Sequence, residues 1–205
     1  MRRAVWISLF TAALAFACRK ADEKVNNGAA GVSTDTGAST STASSTNAGT
    51  TTGATGGTTS NLADADKEFV MKAAIGGMAE VQGGQVAASK GTAADVKTFG
   101  NRMVTDHGKA NDELKQLATN KGLALPADTD DKHKKEIDDL SKKSGKDFDK
   151  TYADMMVKDH EEDVAEFQKE STAAQDPDLK NWVTKTLPVL QDHLKMAKDM
   201  KAKVK

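Results

Sequence analysis

The feature that most constrains this chain is an amphipathic pattern that occurs twice and contains a histidine each time. Met103–His107 reads Met-Val-Thr-Asp-His, and Met156–His160 repeats it further along the chain as Met-Val-Lys-Asp-His. Phe99 lies four residues before the first copy and Tyr152 four before the second. Residues that recur at this spacing lie on one face of an α-helix. The pattern therefore predicts two amphipathic helices, each with a histidine at a core position.

The same periodicity extends over most of the chain and predicts an all-α fold of four long helices. The predicted helices cover about residues 64–90, 93–120, 147–171 and 177–200. Turns at Gly91-Thr92 and Asp176-Pro177 join the first to the second and the third to the fourth. The middle connection spans 121–146 and includes a short amphipathic piece around Ile137 and Leu140. A connection of this length can return along a whole helix, so the pattern predicts a ferritin-like four-helix bundle with a long crossover between helices 2 and 3.

One polar side chain on each predicted helix falls on the interior face. These side chains are Glu80, His107, His160 and His193. Each lies roughly 16 to 24 Å from the turn of its own helix pair, so all four are expected at a similar depth. A carboxylate and three neutral imidazoles suit a divalent zinc, iron, manganese or copper ion. The alternative is a polar core layer in which the glutamate bonds to the histidines and to trapped water without metal.

Six further residues are predicted around this site. They are Asp106, Asp159, Asp192, Met103, Met156 and Tyr152. Each aspartate precedes a core histidine and is predicted either to orient a histidine of an adjacent helix or to be an exposed helix acid. The methionines would favour copper(I) if their sulfurs face the imidazoles, although methionine at helical spacing also serves as core filler. The tyrosine is predicted to fill the core or to donate a hydrogen bond to the site.

Residues 1–18 have the pattern of an export signal. Two arginines precede the apolar run Val5–Phe16, and small residues lead to Cys18. Cys18 directly follows an alanine and resembles the lipidated cysteine of bacterial lipoproteins, while cleavage after Ala17 without lipidation is the alternative. The apolar run is too short to cross a bilayer of about 30 Å. We therefore expect membrane contact only through a lipid anchor on Cys18.

Composition divides the rest of the chain and limits its partners. Residues 19–61 are rich in Ser, Thr, Gly, Ala and Asn and predict a disordered linker, which leaves 62–205 as the folded domain. The chain has 29 basic and 30 acidic residues, and loss of the two signal arginines leaves 27 against 30, a charge of −3. This balance gives no case for binding nucleic acid. With Cys18 as its one cysteine, the chain can form no internal disulfide.

From Asp66 to about Met200 the chain carries motifs that are typical of a known family. The motifs are Ala73–Val81, Val96–Phe99, Met103–His107, Asp159-His160, and Thr186–Pro188 followed by His193. They resemble a bacterial family of unknown function that is ferritin-like in fold and described as outer-membrane or periplasmic. The resemblance implies this fold and location. It does not imply di-iron chemistry, because Val104, Val157 and Leu190 stand where a Glu-x-x-His pair would need glutamate.

The sequence therefore predicts an exported protein of the cell envelope. If Cys18 is lipidated we expect it on the periplasmic face of the outer membrane, and otherwise in the soluble periplasm. No nucleophile, base and oxyanion grouping is recognisable, which favours a non-enzymatic binding or envelope-stress module. The alternative is a mononuclear metal-binding protein, a buffer or redox protein, that uses the glutamate and the three histidines. No protein partner is predicted.

Overall fold

The computed structural model describes residues 60–204, and this part of the chain is entirely helical. The helices are α1 (Asp64–Lys90), α2 (Ala94–Asn120), α3 (Asp131–Ser141), α4 (Gly145–Ala173) and α5 (Pro177–Lys203). The predicted all-α class is confirmed. The predicted signal peptide, Cys18 and nearly all of the predicted linker lie outside the described residues. Between residues 60 and 204, no helix combines the length and apolar character that crossing a bilayer requires.

The middle connection differs from the prediction by one helix. The sequence indicated only a short amphipathic piece there, whereas the structure has the 11-residue helix α3. The Asp130 side chain caps α3 by accepting a hydrogen bond from the backbone N–H of His133 at 2.9 Å. Leu140 is the buried residue of α3 and joins the core. A single buried side chain explains why hydrophobic periodicity gave only a weak signal for this helix.

Ion pairs between the long helices show the directions in which the helices run relative to one another. These pairs are Asp95–Lys203 at 2.9 Å, Glu113–Lys185 at 2.8 Å and Lys72–Glu166 at 2.7 Å. Asp95 near the start of α2 pairs with Lys203 at the end of α5, whereas Glu113 near the end of α2 pairs with Lys185 nearer the start of α5. These two helices are therefore antiparallel. The short turns make α1 antiparallel to α2 and α4 antiparallel to α5. Helices α2 and α4 are therefore parallel, as the length of the crossover predicted.

Glycines bring α1 and α2 into close contact. A Cβ atom on Gly84 would lie 2.7 Å from the carbonyl oxygen of Gly100, and a Cβ on Gly100 would lie 2.7 Å from the carbonyl oxygen of Gly84. No side chain fits at either position without a backbone shift. This close approach of two backbones explains Gly84 and Gly100 in spite of their helix cost of about 1 kcal/mol each.

The two helical hairpins are tied together by reciprocal capping aspartates. Asp149 of α4 accepts hydrogen bonds from the backbone N–H groups of Thr92–Ala93, at 2.9 and 2.8 Å. Asp66 of α1 accepts hydrogen bonds from those of Gln175–Asp176, the shorter of them at 2.8 Å. Asp149 follows Asp66 in the sequence by the same number of residues as Gln175–Asp176 follow Thr92–Ala93. The hairpins α1–α2 and α4–α5 thus cap each other through equivalent positions.

The core consists of two apolar clusters with a polar layer between them. One cluster includes Phe69, Leu114, Phe167 and Leu179, and the other includes Ala87, Phe99, Tyr152 and Met200. Each long helix contributes residues to both clusters, and one buried polar residue lies between these two sets of residues. These residues are Glu80 on α1, His107 on α2, His160 on α4 and His193 on α5. The fold therefore places all four at one level of the bundle.

Candidate metal centre

Three buried imidazoles converge in the polar layer. One ring nitrogen from each of His107, His160 and His193 lies within 4.8 Å of the other two. The ring centroids are 5.2 to 5.7 Å apart. His160 and His193 are fully buried and His107 is nearly so. Glu80, predicted as a fourth ligand, lies beside this group but is not a member of it.

Each histidine ring has one nitrogen paired with an oxygen atom of the protein. The pairs are His107 Nδ1 with Glu80 Oε2 at 2.8 Å, His160 Nδ1 with the Met156 carbonyl oxygen at 2.9 Å, and His193 Nε2 with Asp106 Oδ2 at 2.9 Å. A backbone carbonyl can only accept a hydrogen bond, and so can an ionised carboxylate. His160 Nδ1 therefore carries its ring's proton, and so do His107 Nδ1 and His193 Nε2 when their carboxylate partners are ionised.

The second nitrogen of each ring is buried and carries a lone pair. His107 Nε2, His160 Nε2 and His193 Nδ1 have no hydrogen-bond partner within residues 60–204. A buried polar atom without a partner costs roughly 1–3 kcal/mol. Three such atoms in one layer are unfavourable unless something binds them. Tautomer control by an outer hydrogen bond, with the other nitrogen directed inward, is the usual arrangement of metal-binding histidines.

Burial keeps the three rings neutral. It lowers the pKa of His107 to about 4 and that of His193 to about 4, in each case because the charged ring loses its hydration. Burial also lowers the pKa of His160, with the nearby Glu80 carboxylate opposing the shift. At neutral pH the lone pairs are therefore available to a metal without competition from protons.

Glu80 connects two of the histidines. Its Oε2 pairs with His107, while its Oε1 lies 3.3 Å from His160 Nε2 and has no hydrogen-bond partner in the described part of the chain. Burial raises the pKa of Glu80 to about 7, and the neighbouring His160 opposes this rise. Asp163 of α4 lines the same two cavities as Glu80. Burial and repulsion from Glu80 raise the pKa of Asp163 well above its usual value.

Asp163 is the site residue that the sequence analysis missed. It lies on α4 three residues after His160, and no histidine repeat marks it. A signal for it exists in the reciprocal capping, because Asp149 precedes Asp163 by the same separation as Asp66 precedes Glu80. Glu80 and Asp163 are therefore at equivalent positions of the two hairpins. The capping roles of the two aspartates had to be known before this spacing could be recognised.

The three aspartates predicted around the site have different positions. Asp106 orients His193, a histidine of the adjacent helix α5. Burial opposes its ionisation, but hydrogen bonds from His193 and Arg102 hold the pKa of Asp106 below its usual value. Asp159 lines a cavity together with Glu80, and burial raises its pKa to about 6. Asp192 is exposed on α5, so it is the solvent-facing helix acid of the alternative interpretation.

The other predicted neighbours are core residues. Met103 and Met156 are buried in the apolar cluster that contains Phe99. Tyr152 is fully buried in the same cluster, and its hydroxyl has no hydrogen-bond partner among the residues described. Burial and then the negative charge of Glu80 raise the pKa of this hydroxyl above its usual value. The packing of all three agrees with core filling.

Comparisons with known proteins identify the family and agree with the fold. The crystal structure of a DUF305 fragment from Deinococcus radiodurans is similar in fold, with a TM-score of 0.62 and 9% identity over 69% of this chain and 98% of that chain. No curated protein sequence matches the chain. Residues 51–200 match the family described as "Domain of unknown function (DUF4142)". This match covers most of the chain, and the protein belongs to that family.

Proposed function

We propose that this protein is an exported module of the cell envelope that binds one divalent transition-metal ion through His107, His160 and His193. The proposal includes the ferritin-like arrangement of the long helices and, at the N-terminus, the export signal and lipid attachment at Cys18. The observation that carries the metal site is the set of three buried ring nitrogens without partners, each on a ring whose other nitrogen is already hydrogen-bonded.

The spacing of the nitrogens fits a small cation after a slight contraction. Ligand atoms in a tetrahedral zinc centre are about 3.3 Å apart, given zinc–nitrogen bonds of about 2.0–2.1 Å. One nitrogen of each ring lies within 4.8 Å of one nitrogen of each of the other two rings, so modest side-chain rotations bring ring nitrogens to this distance. Glu80 Oε1 is already 3.3 Å from His160 Nε2. We therefore keep Glu80 in the proposal as the group that completes the coordination.

The ligand chemistry favours zinc or copper(II) over manganese. Neutral imidazoles suit zinc, copper, iron and nickel, whereas manganese prefers carboxylate and water ligands. No cysteine occurs in residues 60–204, so thiolate ligation from this part of the chain is excluded. The buried position of the site, away from bulk water, suits a binding or buffering role. Zinc is therefore the first metal to test, with cobalt(II) as its spectroscopic substitute.

Metal analysis of the purified protein tests the proposal. After zinc loading and exhaustive dialysis, we expect about one zinc per chain in the wild type and a loss of at least tenfold in His160→Gln. His133→Ala removes a partly exposed histidine of α3 that lies outside the three-histidine group and serves as the matched control, which should retain its zinc. Circular dichroism checks that each variant keeps its helices. Absence of zinc, copper and cobalt from the wild type would leave the polar layer as a purely structural feature.

A further inference from the structure

A cavity between α1, α3 and α4 leads from the surface to Glu80. It has a volume of about 70 Å³, enough for several water molecules. Five of its lining residues are acidic: Glu80, Glu136, Asp159, Glu162 and Asp163. Lys132 and His133 are the basic residues in the lining. The lining contains more acidic than basic residues, and the partly exposed Glu136 and the exposed Glu162 mark its outer end.

A second, smaller cavity continues from this one toward the histidines. It has a volume of about 30 Å³ and is lined by His107, among other residues. The two cavities share the residues Gly76, Glu80 and Asp163. Gly76 and the carboxyl side chains of Glu80 and Asp163 therefore lie where the outer acidic cavity and the smaller cavity adjoin.

Glu80 is oriented to accept a cation at this boundary. It is 6% exposed, and its Oε1 has no hydrogen-bond partner in residues 60–204. The same oxygen lies 3.3 Å from His160 Nε2, so an ion that reaches it is already beside the three histidines. Interaction with a cation would satisfy the buried oxygen, which otherwise loses its hydration without compensation.

We infer that the acidic cavity between α1, α3 and α4 is the entrance through which a hydrated divalent cation reaches the three-histidine site. The inference rests on the proposed function, since it requires that the histidines bind metal. Carboxylates at the outer end attract the cation, and a cleft with an excess of negative charge concentrates such ions. Glu80 then passes the ion from the cavity to the histidines, and α3 forms one wall of the entrance.

Rates of cobalt(II) loading test the entrance, with the visible absorption of the bound ion as the signal. Glu136→Gln combined with Glu162→Gln removes two charges from the outer end without touching the histidines. We expect loading to slow about three- to tenfold at low salt, and the difference to shrink at high salt because exposed charges are screened. Asp112→Asn combined with Asp192→Asn removes two exposed acids from α2 and α5 and should load at the wild-type rate.

A variant that blocks the cavity provides a second, charge-independent test. A Cβ at Gly76 meets no atom within 4 Å, so Gly76→Leu places a side chain in open space between the two cavities. We expect cobalt loading and chelator-induced release to slow by the same factor, at least about tenfold, with the affinity unchanged. Gly108→Leu adds the same side chain on α2, where a Cβ also meets nothing within 4 Å, and is the matched control.

The outcomes separate the entrance from the metal site itself. Slow loading in the entrance variants but not in the controls supports the inference. If the wild type binds one cobalt and all variants load equally fast, the entrance is wrong and the three-histidine site remains. If the wild type binds no cobalt at equilibrium, both the entrance and the proposed function are wrong.

Discussion

At His193, one hydrogen bond decides which ring nitrogen carries the proton. Nε2 pairs with the Asp106 carboxylate at 2.9 Å, so Nδ1 is the lone pair that faces the other histidines. The carboxylate also makes the ring a stronger base than a neutral acceptor would. Two aspartates precede core histidines on α2 and α5, yet only Asp106 makes such a bond, because Asp192 is exposed.

This difference gives a matched pair of variants. Asp106→Asn replaces a charged acceptor with a neutral amide that can also donate, so we expect zinc affinity to fall about 10- to 100-fold. Asp192→Asn makes the same chemical change at the solvent-facing position and should leave the affinity unchanged. Competition with a chromophoric chelator measures both constants. Equal affinities for the two variants would mean that the Asp106 bond does not tune the site.

Glu170 gives a residue-scale prediction about pH that is separate from the metal site. Burial, and then repulsion from Asp66, raises the pKa of its carboxyl above the usual value. The folded protein therefore holds this proton more tightly than the unfolded chain does, and the free energy of unfolding falls as pH rises between the two pKa values. Glu170→Gln mimics the protonated form, so its stability should match the wild type below about pH 4 and exceed it at pH 7.

Urea denaturation at several pH values measures this difference. Glu161→Gln changes an exposed glutamate of α4 that pairs with Lys198, and it should follow the pH dependence of the wild type to within about 0.5 kcal/mol. An unchanged pH profile in Glu170→Gln would show that favourable interactions of the ionised carboxyl in the folded state offset the hydration that it loses through burial.

At the scale of helices, each hairpin depends on an aspartate of the other one. Asp149 accepts the backbone N–H groups of residues 92 and 93, which would otherwise have no acceptor at the start of α2. Asp149→Ala should therefore lower the free energy of unfolding by about 1–3 kcal/mol. Asp147→Ala, at an exposed position in the same first turn of α4, should cost less than about 0.5 kcal/mol. Urea denaturation compares the two, and equal costs would contradict the cap.

The sequence allowed the helices to be predicted better than their polar contacts. Hydrophobic periodicity gave α1, α2, α4 and α5 nearly to their ends, because each buries a long apolar face. It gave α3 weakly, because α3 buries only Leu140. The convergence of the three histidines followed from counting residues to the turns. Asp163 was not predicted, and the sequence left open which of the three aspartates orients a histidine, because these contacts lie between helices distant in sequence and depend on helix rotation.

At the scale of the whole molecule, a layer of four polar side chains divides the apolar core into two clusters. Apolar clusters lie on both sides of Glu80 and the three histidines. The unpartnered ring nitrogens and the buried carboxylate oppose folding in the absence of a ligand. Replacement of a buried polar group by apolar residues of similar size is often neutral or stabilising. The layer is thus expected to reduce the stability of the metal-free protein, which argues that it is kept for binding.

A variant with leucine at His107, His160 and His193 and methionine at Glu80 tests this argument directly. With a chelator present, its free energy of unfolding should equal that of the wild type or exceed it by about 1–4 kcal/mol. With zinc at a hundredfold excess over the dissociation constant, the wild type should gain about 2.7 kcal/mol and the variant nothing. If the layer is kept only for metal, filling it with apolar side chains should not lower the free energy of unfolding of the metal-free protein. A variant much less stable than the metal-free wild type would therefore show that the polar layer itself stabilises the packing of the helices.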